Sequence, residues 1–176
     1  MRKLLYPILL IGGGLLISSW MRGTAYQKPE SKFRISGSIM QTISYCGGAP
    51  PSRKILDGLN TPKGIPFGKL LVKIGATNVE DAPVIDTIKA DEKGNFSTYL
   101  PAGNYCLLEE WKAKPFKLPL NTANQKVDSA CFRNLYNACD FKLSITDKSI
   151  DHIKILFHRT CPYSQPCITY HGALPQ

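Results

Sequence analysis

The residues best suited to chemistry lie near the end of the chain, where His158, Cys161, Cys167 and His171 fall within 14 residues. Imidazole nitrogen and thiolate sulfur are ligands that zinc and copper prefer, so a Zn or Cu site is one hypothesis. The spacing His-x2-Cys-x5-Cys-x3-His matches no familiar zinc pattern. A redox pair is a further alternative, although the usual Cys-x-x-Cys spacing is absent. We favour disulfide bonding of these cysteines, and we expect no cofactor.

Residues 1–25 have the pattern of an export signal. Arg2 and Lys3 precede an apolar run over residues 4–16, and Gly23-Thr24-Ala25 supplies small residues for cleavage. The alternative is an uncleaved anchor, because the apolar stretch over residues 4–21 approaches the length of a membrane-spanning helix. We therefore expect a periplasmic, cell-surface or extracellular protein. Its membrane attachment would be limited to this segment, if the segment is retained.

The remaining chain suits a single domain. A short linker over residues 26–32 would lead into one domain over residues 33–176, which is long enough for an adequate core. Removal of residues 1–25 takes away three basic residues and no acid, so the formal net charge falls from +9 to +6. This charge suits solubility and weak attraction to an anionic envelope.

All six cysteines follow the export signal, at positions Cys46, Cys106, Cys131, Cys139, Cys161 and Cys167. An even number of cysteines in an exported chain predicts disulfides. Six cysteines allow fifteen pairings, so the connectivity stays open on the sequence alone. Proximity favours Cys161–Cys167 and Cys131–Cys139, which leaves Cys46–Cys106.

Alternating apolar residues predict a mostly β structure. Residues 91–95 have turn chemistry around Gly94, Phe96 and Leu100 then alternate with polar residues, and residues 100–103 fit a type I turn. Seven runs, five of them with period-2 alternation, and the turn signals between them predict seven short strands and hence a β-sandwich. They cover residues 33–40, 70–74, 84–89, 96–100, 104–108, 141–145 and 153–157. Insertions are expected at 47–68 and at 112–140, the second with a short helix near 128–136.

The 91–106 pattern, an acidic turn with Gly, a strand, Leu-Pro-x-Gly and then Tyr, resembles the carboxypeptidase regulatory-like domains. Its best match covers residues 33–110, and the Tyr-Cys-Gly-Gly-Ala-Pro-Pro segment at 45–51 is similar to small exported proteins of Bacteroidetes-type bacteria. The resemblance implies an all-β, transthyretin-like (prealbumin-like) Greek-key sandwich of seven strands with long disulfide-bearing loops. It also implies a non-catalytic binding or accessory module at the bacterial cell envelope.

The catalytic motifs of related enzyme classes are absent from the sequence. A zinc carboxypeptidase of the relevant type needs a His with a Glu three residues later, and none of the three histidines has one. There is also no His-Glu-x-x-His and no Gly-x-Ser-x-Gly. We therefore predict that the protein is not an enzyme. The alternative is a small hydrolase on the same fold, with His158 or His171 beside an Arg or Lys and a carboxylate.

A candidate binding surface interleaves aromatic and basic side chains at Trp111, Lys112, Lys114, Phe116 and Lys117. Such a patch can hold anionic polysaccharide or lipid headgroups through charge and stacking, and the alternative is a solvated loop. The export signal argues against nucleic acid, so the expected partner is a protein or glycan of the cell envelope. If the 47–68 insertion and the 161–171 tail converge in the fold, they define the working surface.

Overall fold

The computed structural model describes residues 31–173, so the segment predicted as an export signal lies outside the described residues. Within this range the chain forms ten strands, two α-helices and a short 3₁₀ helix at Glu110–Ala113. The helices are α1 (Arg53–Asn60) and α2 (Ser129–Asn137). The strands are β1 (Lys32–Ile43), β2 (Lys63–Gly64), β3 (Lys69–Ile74), β4 (Asp86–Lys89), β5 (Asn95–Pro101), β6 (Gly103–Leu108), β7 (Gln125–Val127), β8 (Phe141–Ile145), β9 (Ile150–Arg159) and β10 (Ile168–Tyr170). Among the described residues, the helices are too short or too polar to cross a membrane.

Eight of these strands form two four-stranded sheets. In the first sheet, β9 runs parallel to β1 along one edge, while β5 and β2 pair antiparallel with the other edge. The second sheet has the antiparallel order β4-β3-β6-β8, and β7 pairs with β10 in a small two-stranded ribbon. The prediction of a mostly β fold is confirmed. The predicted number of strands, seven, is too low, because the described residues form ten. Three additional strands, β2, β7 and β10, are two or three residues long, too short to show a period in the sequence.

The two four-stranded sheets face each other across one hydrophobic core. Ile35, Ile39 and Ile155 project into it from the first sheet, and Val72 and Leu107 project from the second. The predicted alternation is seen in β5 and β8, where apolar side chains at every second position are buried. This packing of two sheets is the arrangement of a β-sandwich.

The turn over residues 91–94 needs glycine at position 94. Gly94 has φ of 84°, and a Cβ added there would lie 2.7 Å from the carbonyl oxygen of Ile39 and 2.8 Å from the Cα of Gly64. Both neighbours are backbone atoms, so they cannot move aside easily. The turn thus packs directly against β1 and β2.

We expect Gly94→Ala to lower the free energy of unfolding by about 2 kcal/mol or more, since it combines a left-handed backbone with a backbone clash. Urea denaturation followed by circular dichroism measures the loss. Gly58→Ala is the matched control, because Gly58 lies in α1 with no tertiary neighbour within 4 Å of an added Cβ in the described chain. That control should be neutral or stabilising. Equal stability of the two variants would contradict the claim that the turn needs glycine at position 94.

Asp91 organises the same turn through its carboxylate. Oδ1 accepts hydrogen bonds from the backbone N–H groups of Asn95 and Lys93, both at 2.8 Å. These hydrogen bonds hold the pKa of Asp91 below its ordinary value of 3.8, and the bond from Asn95 has the largest effect. The stabilisation is therefore present above pH 3.8 and is lost as the pH falls through the lower folded-state pKa.

The effect of Asp91→Asn should accordingly depend on pH. An amide can still accept hydrogen bonds but carries no charge, so the variant should be less stable than the wild type near neutral pH. The difference should shrink as the solution is acidified, because the wild-type carboxylate becomes protonated. Unfolding free energies measured at about pH 6 and about pH 2 test this. A difference that stays constant would show that the charge of Asp91 contributes nothing.

Candidate functional site

All six cysteines form disulfides, as expected, but the pairings favoured by proximity are wrong. The bonds are Cys46–Cys161, Cys106–Cys139 and Cys131–Cys167. The parallel pairing of β1 with β9 explains the first bond. Both strands end at the same edge, so Cys46 and Cys161 lie with their Cα atoms 5.5 Å apart despite a sequence separation of 115. Proximity in sequence carries no information about such a pairing.

The four candidate metal ligands of the tail are separated in the structure. Cys161 and Cys167 belong to different disulfides, and both ring nitrogens of His158 lie close to hydroxyl groups of β1 and the residues after it. These contacts are 2.9 Å to Thr42 Oγ1 and 2.8 Å to Ser44 Oγ. Over residues 31–173, no group of three or more His, Cys, Asp or Glu side chains is placed to hold a metal ion.

The hydrolase alternative requires a histidine beside an Arg and a carboxylate. His158 and Arg159 are consecutive on β9, so their side chains point to opposite faces of the sheet. Arg159 bonds to Gln41, whereas His158 bonds to Thr42 on the other face. The imidazole nitrogens therefore contact Thr42 and Ser44 rather than Glu109, the carboxylate that pairs with Arg159, although His158, Arg159 and Glu109 all line one cavity.

Lys112, placed by the sequence on an exposed binding surface, is instead a buried structural residue. Its side chain is 2% exposed, and Nζ lies 2.7 Å from Asp140 Oδ1 and donates to the carbonyl oxygen of Ala138 at 2.9 Å. The 3₁₀ helix turns this side chain inward beneath the segment that follows α2. Lys114 and Lys117 remain exposed. The residues of the predicted surface therefore do not form one exposed patch. Lys112 is buried, and of the lysines in this surface only Lys114 and Lys117 are exposed to solvent.

The aromatic residues of that surface pack against α2. Trp111 lies 6.1 Å from Phe132 between ring centroids, and Phe116 lies 5.1 Å from Tyr136 in an edge-to-face contact. The Tyr136 hydroxyl donates to the Lys114 carbonyl oxygen at 2.8 Å, which holds the loop against the helix. Burial raises the pKa of Tyr136. One face of Trp111 is therefore supported, while the side chain stays 40% exposed.

A buried asparagine connects this layer to the second sheet. Asn78 Nδ2 donates to the carbonyl oxygens of Lys112 at 2.8 Å and Tyr136 at 3.0 Å. The Cys106–Cys139 disulfide adds a covalent link between β6 and the end of the 112–140 insertion. These bonds fix the position of the 3₁₀ helix that carries Trp111.

Two adjoining cavities open around Trp111, with volumes of about 480 and 430 Å³. They share Glu109, Trp111, Phe157 and Arg159. The first cavity is completed by α2 and by Gln165, Pro166 and Ile168 of the tail, and the second by Ile65, Phe67 and Gly68. The 47–68 insertion, the 112–140 insertion and the tail thus meet at one place. We call this pair of cavities the Trp111 cleft.

Glu109 organises the centre of the Trp111 cleft. One carboxylate oxygen lies 2.6 Å from Arg159 Nη2, and the other accepts a hydrogen bond from Trp111 Nε1 at 3.3 Å. Arg159 also donates from Nε to Gln41 Oε1 at 3.3 Å and lies over the Phe157 ring, 5.2 Å from its centroid. The carboxylate therefore orients both the indole plane and the guanidinium group. Residue type and basic neighbours mark Trp111 in the sequence, but no pattern marks the pairing of Glu109 with Arg159.

A strained aromatic residue lies at the rim of the second cavity. Phe67 has φ of 53°, a left-handed conformation that is uncommon for a bulky residue, and its side chain is 64% exposed. Its N–H donates to the Asp91 carbonyl oxygen at 3.0 Å, which ties it to the 91–94 turn. Strain of this kind occurs often at binding sites.

Comparison with known proteins gives little further information. No protein-family model matches the sequence, and no significant match occurs among curated proteins. The solved structure of the Bacillus anthracis TIE protein is similar over 73% of this chain, with 14% sequence identity and a TM-score of 0.35. The match spans 17% of the TIE protein chain. At this TM-score the likeness supports no conclusion about fold family or function.

Proposed function

We propose that this protein is a non-catalytic, exported binding or accessory module of the bacterial cell envelope, and that it holds its ligand in the Trp111 cleft. The fold belongs, in this proposal, to the transthyretin-like sandwiches of the carboxypeptidase regulatory-like type. The facing four-stranded sheets support this assignment, as does the 91–106 segment that carries the resemblance. The three disulfides support export, because such bonds persist in oxidising compartments.

One observation carries the binding role: three irregular segments converge on a cleft with an exposed, oriented tryptophan. The two cavities, of about 480 and 430 Å³, fall within the size range of small-molecule sites. Aromatic walls with a few fixed polar groups are the usual lining of such sites. Here Glu109 and Arg159 are the fixed polar groups, and Trp111 is the aromatic wall.

Co-sedimentation with cell-envelope fragments of a Bacteroidetes bacterium tests the proposed function. We expect saturable binding of the wild-type protein and at least a tenfold loss for Trp111→Ala. Leu120→Ala is the matched control, because Leu120 is an 81% exposed apolar residue outside both cavities. Circular dichroism of each variant establishes that the fold is retained. Equal binding of Trp111→Ala and the wild type would contradict the proposal, as would an absence of wild-type binding.

A further inference from the structure

We infer that the Trp111 cleft takes a neutral oligosaccharide, with one sugar ring stacked on Trp111 and its hydroxyl groups on the Glu109–Arg159 pair. This inference rests on the proposed function and names its ligand class. It differs from the expectation for the 111–117 surface, which pointed to an anionic polysaccharide or lipid headgroup held by lysines. Three properties of the cleft support it: charge balance, paired donors and acceptors, and two exposed aromatic faces.

The cleft is electrically balanced although the chain carries a formal net charge of +9. The first cavity is lined by Glu109 and Asp140 against Lys112 and Arg159. The second has two acidic residues, Glu109 and Glu110, and two basic ones, Lys69 and Arg159. The charged side chains that line each cavity therefore sum to zero, with His158 of the first cavity counted as neutral.

The two cations that line the first cavity, Lys112 and Arg159, already have counter-charges. Arg159 lies 2.6 Å from Glu109, and the buried Lys112 lies 2.7 Å from Asp140. An anionic headgroup or uronic acid would have to compete with these carboxylates for charge-assisted bonds. Replacing one carboxylate by another gains little and leaves the displaced one without its partner. A neutral ligand avoids this cost.

The Glu109–Arg159 pair offers donors and acceptors side by side. Arginine has five N–H donors, and the contacts with Glu109 and Gln41 use only two of its nitrogens. Glu109 and Gln41 supply carboxylate and amide oxygens next to those N–H groups. Each sugar hydroxyl can both donate and accept a hydrogen bond, so adjacent hydroxyls match this arrangement without any change in charge.

Aromatic faces lie on the path through both cavities. Trp111 lines each of them, and its ring plane is fixed by the bond to Glu109 and by contact with Phe132. Phe67 adds a second, 64% exposed face in the second cavity. The apolar C–H face of a sugar ring can pack on an aromatic ring while its equatorial hydroxyls reach the polar groups. Two cavities joined at one ion pair suit several linked sugar rings better than a single one.

Mild periodate oxidation of the envelope fragments tests the ligand class, because the adjacent sugar hydroxyls assigned to the Glu109–Arg159 pair form a vicinal diol. Periodate cleaves vicinal diols, and the fragments are then reduced with borohydride and washed before the protein is added. We expect the Trp111-dependent binding to fall at least tenfold after oxidation. Retention of that binding on oxidised fragments would overturn the inference. The proposed function would still stand, since binding would remain sensitive to Trp111→Ala.

The salt dependence distinguishes a neutral from an anionic glycan or lipid. Binding to untreated fragments should change less than twofold between about 0.05 and about 0.5 M NaCl, because screening does not weaken contacts with an uncharged ligand. Loss of binding at high salt, or inhibition by hexagalacturonate at concentrations where maltohexaose and cellohexaose have no effect, would overturn the neutral assignment. Trp111→Phe keeps an aromatic face but not the indole N–H. It should retain more of the affinity than Trp111→Ala.

Discussion

Replacing Asp140 by Ala is expected to lower the free energy of unfolding by about 3 to 5 kcal/mol, because it leaves the Lys112 ammonium group buried without a counter-charge. Lys112 is 2% exposed, and its Nζ lies 2.7 Å from Asp140 Oδ1. The substitution also removes the acceptor for the Glu109 backbone N–H, which donates to Asp140 Oδ2 at 2.7 Å. The variant therefore leaves the buried Lys112 ammonium group with the Ala138 carbonyl oxygen but no counter-charge, and it leaves the part-buried Glu109 N–H without its acceptor.

Two controls separate this effect from a general loss of charge pairs. Asp151→Ala breaks the exposed Arg34–Asp151 pair, and we expect it to lower the free energy of unfolding far less than Asp140→Ala does. Lys112→Met combined with Asp140→Asn removes both charges while keeping an acceptor for Glu109 N–H. This double variant should recover a large part of the stability. Urea denaturation gives the free energy of unfolding of the wild type and of the three variants. A loss below about 1 kcal/mol for Asp140→Ala would show that Lys112 is not confined as described.

The second large effect is expected from removal of the Cys46–Cys161 disulfide. This bond closes a loop with a sequence separation of 115, compared with 36 for Cys131–Cys167. On the chain-entropy argument, the double variant Cys46→Ala/Cys161→Ala should lose about 4 to 5 kcal/mol and Cys131→Ala/Cys167→Ala about 3 to 4 kcal/mol. Cys161 is also buried, so its replacement leaves an underpacked site.

The same two variants are expected to differ in binding as well. Cys131–Cys167 joins α2 to the tail, and both of these elements line the first cavity. We expect Cys131→Ala/Cys167→Ala to weaken binding to envelope fragments more than Cys46→Ala/Cys161→Ala does, although it lowers stability less. The reason is that the wall of the first cavity loses its cross-link. Denaturation and co-sedimentation of both double variants measure this. A greater loss of stability for the Cys131→Ala/Cys167→Ala variant would contradict the chain-entropy argument, and equal affinity of the two variants for the fragments would contradict the binding prediction.

The local elements of the fold are predictable because their signals lie within a few residues. The turn at 91–95 contains its own Asp and Gly, and β5 shows inward Phe96 and Leu100 at alternate positions. Helix α2 is expected from residues 128–136 and occupies Ser129–Asn137. Helix α1 is not predicted, since its eight residues include Gly58 and follow a proline-rich stretch. It begins at an N-cap, Ser52, whose side chain accepts a bond from Ile55 N–H.

The candidate site is predictable only in part, because it depends on contacts between distant segments. Trp111 is recognisable by its residue type and its basic neighbours. Lys112 is buried against Asp140, which follows α2 in the sequence, so its burial depends on where the whole 112–140 insertion packs. The pairing of Glu109 with Arg159 requires β6 and β9, which belong to opposite sheets. No periodicity or spacing in the sequence predicts a contact between side chains of two different sheets.

The central claim, a ligand cleft organised by Glu109 around Trp111, is tested most directly by comparing the affinity of the wild type, Glu109→Gln and Trp111→Ala for envelope fragments. Glu109→Gln keeps an oxygen acceptor but removes the charge that holds Arg159 at 2.6 Å. We predict an intermediate affinity for this variant and at least a tenfold loss for Trp111→Ala, with both proteins folded. Wild-type affinity in both folded variants would contradict the claim.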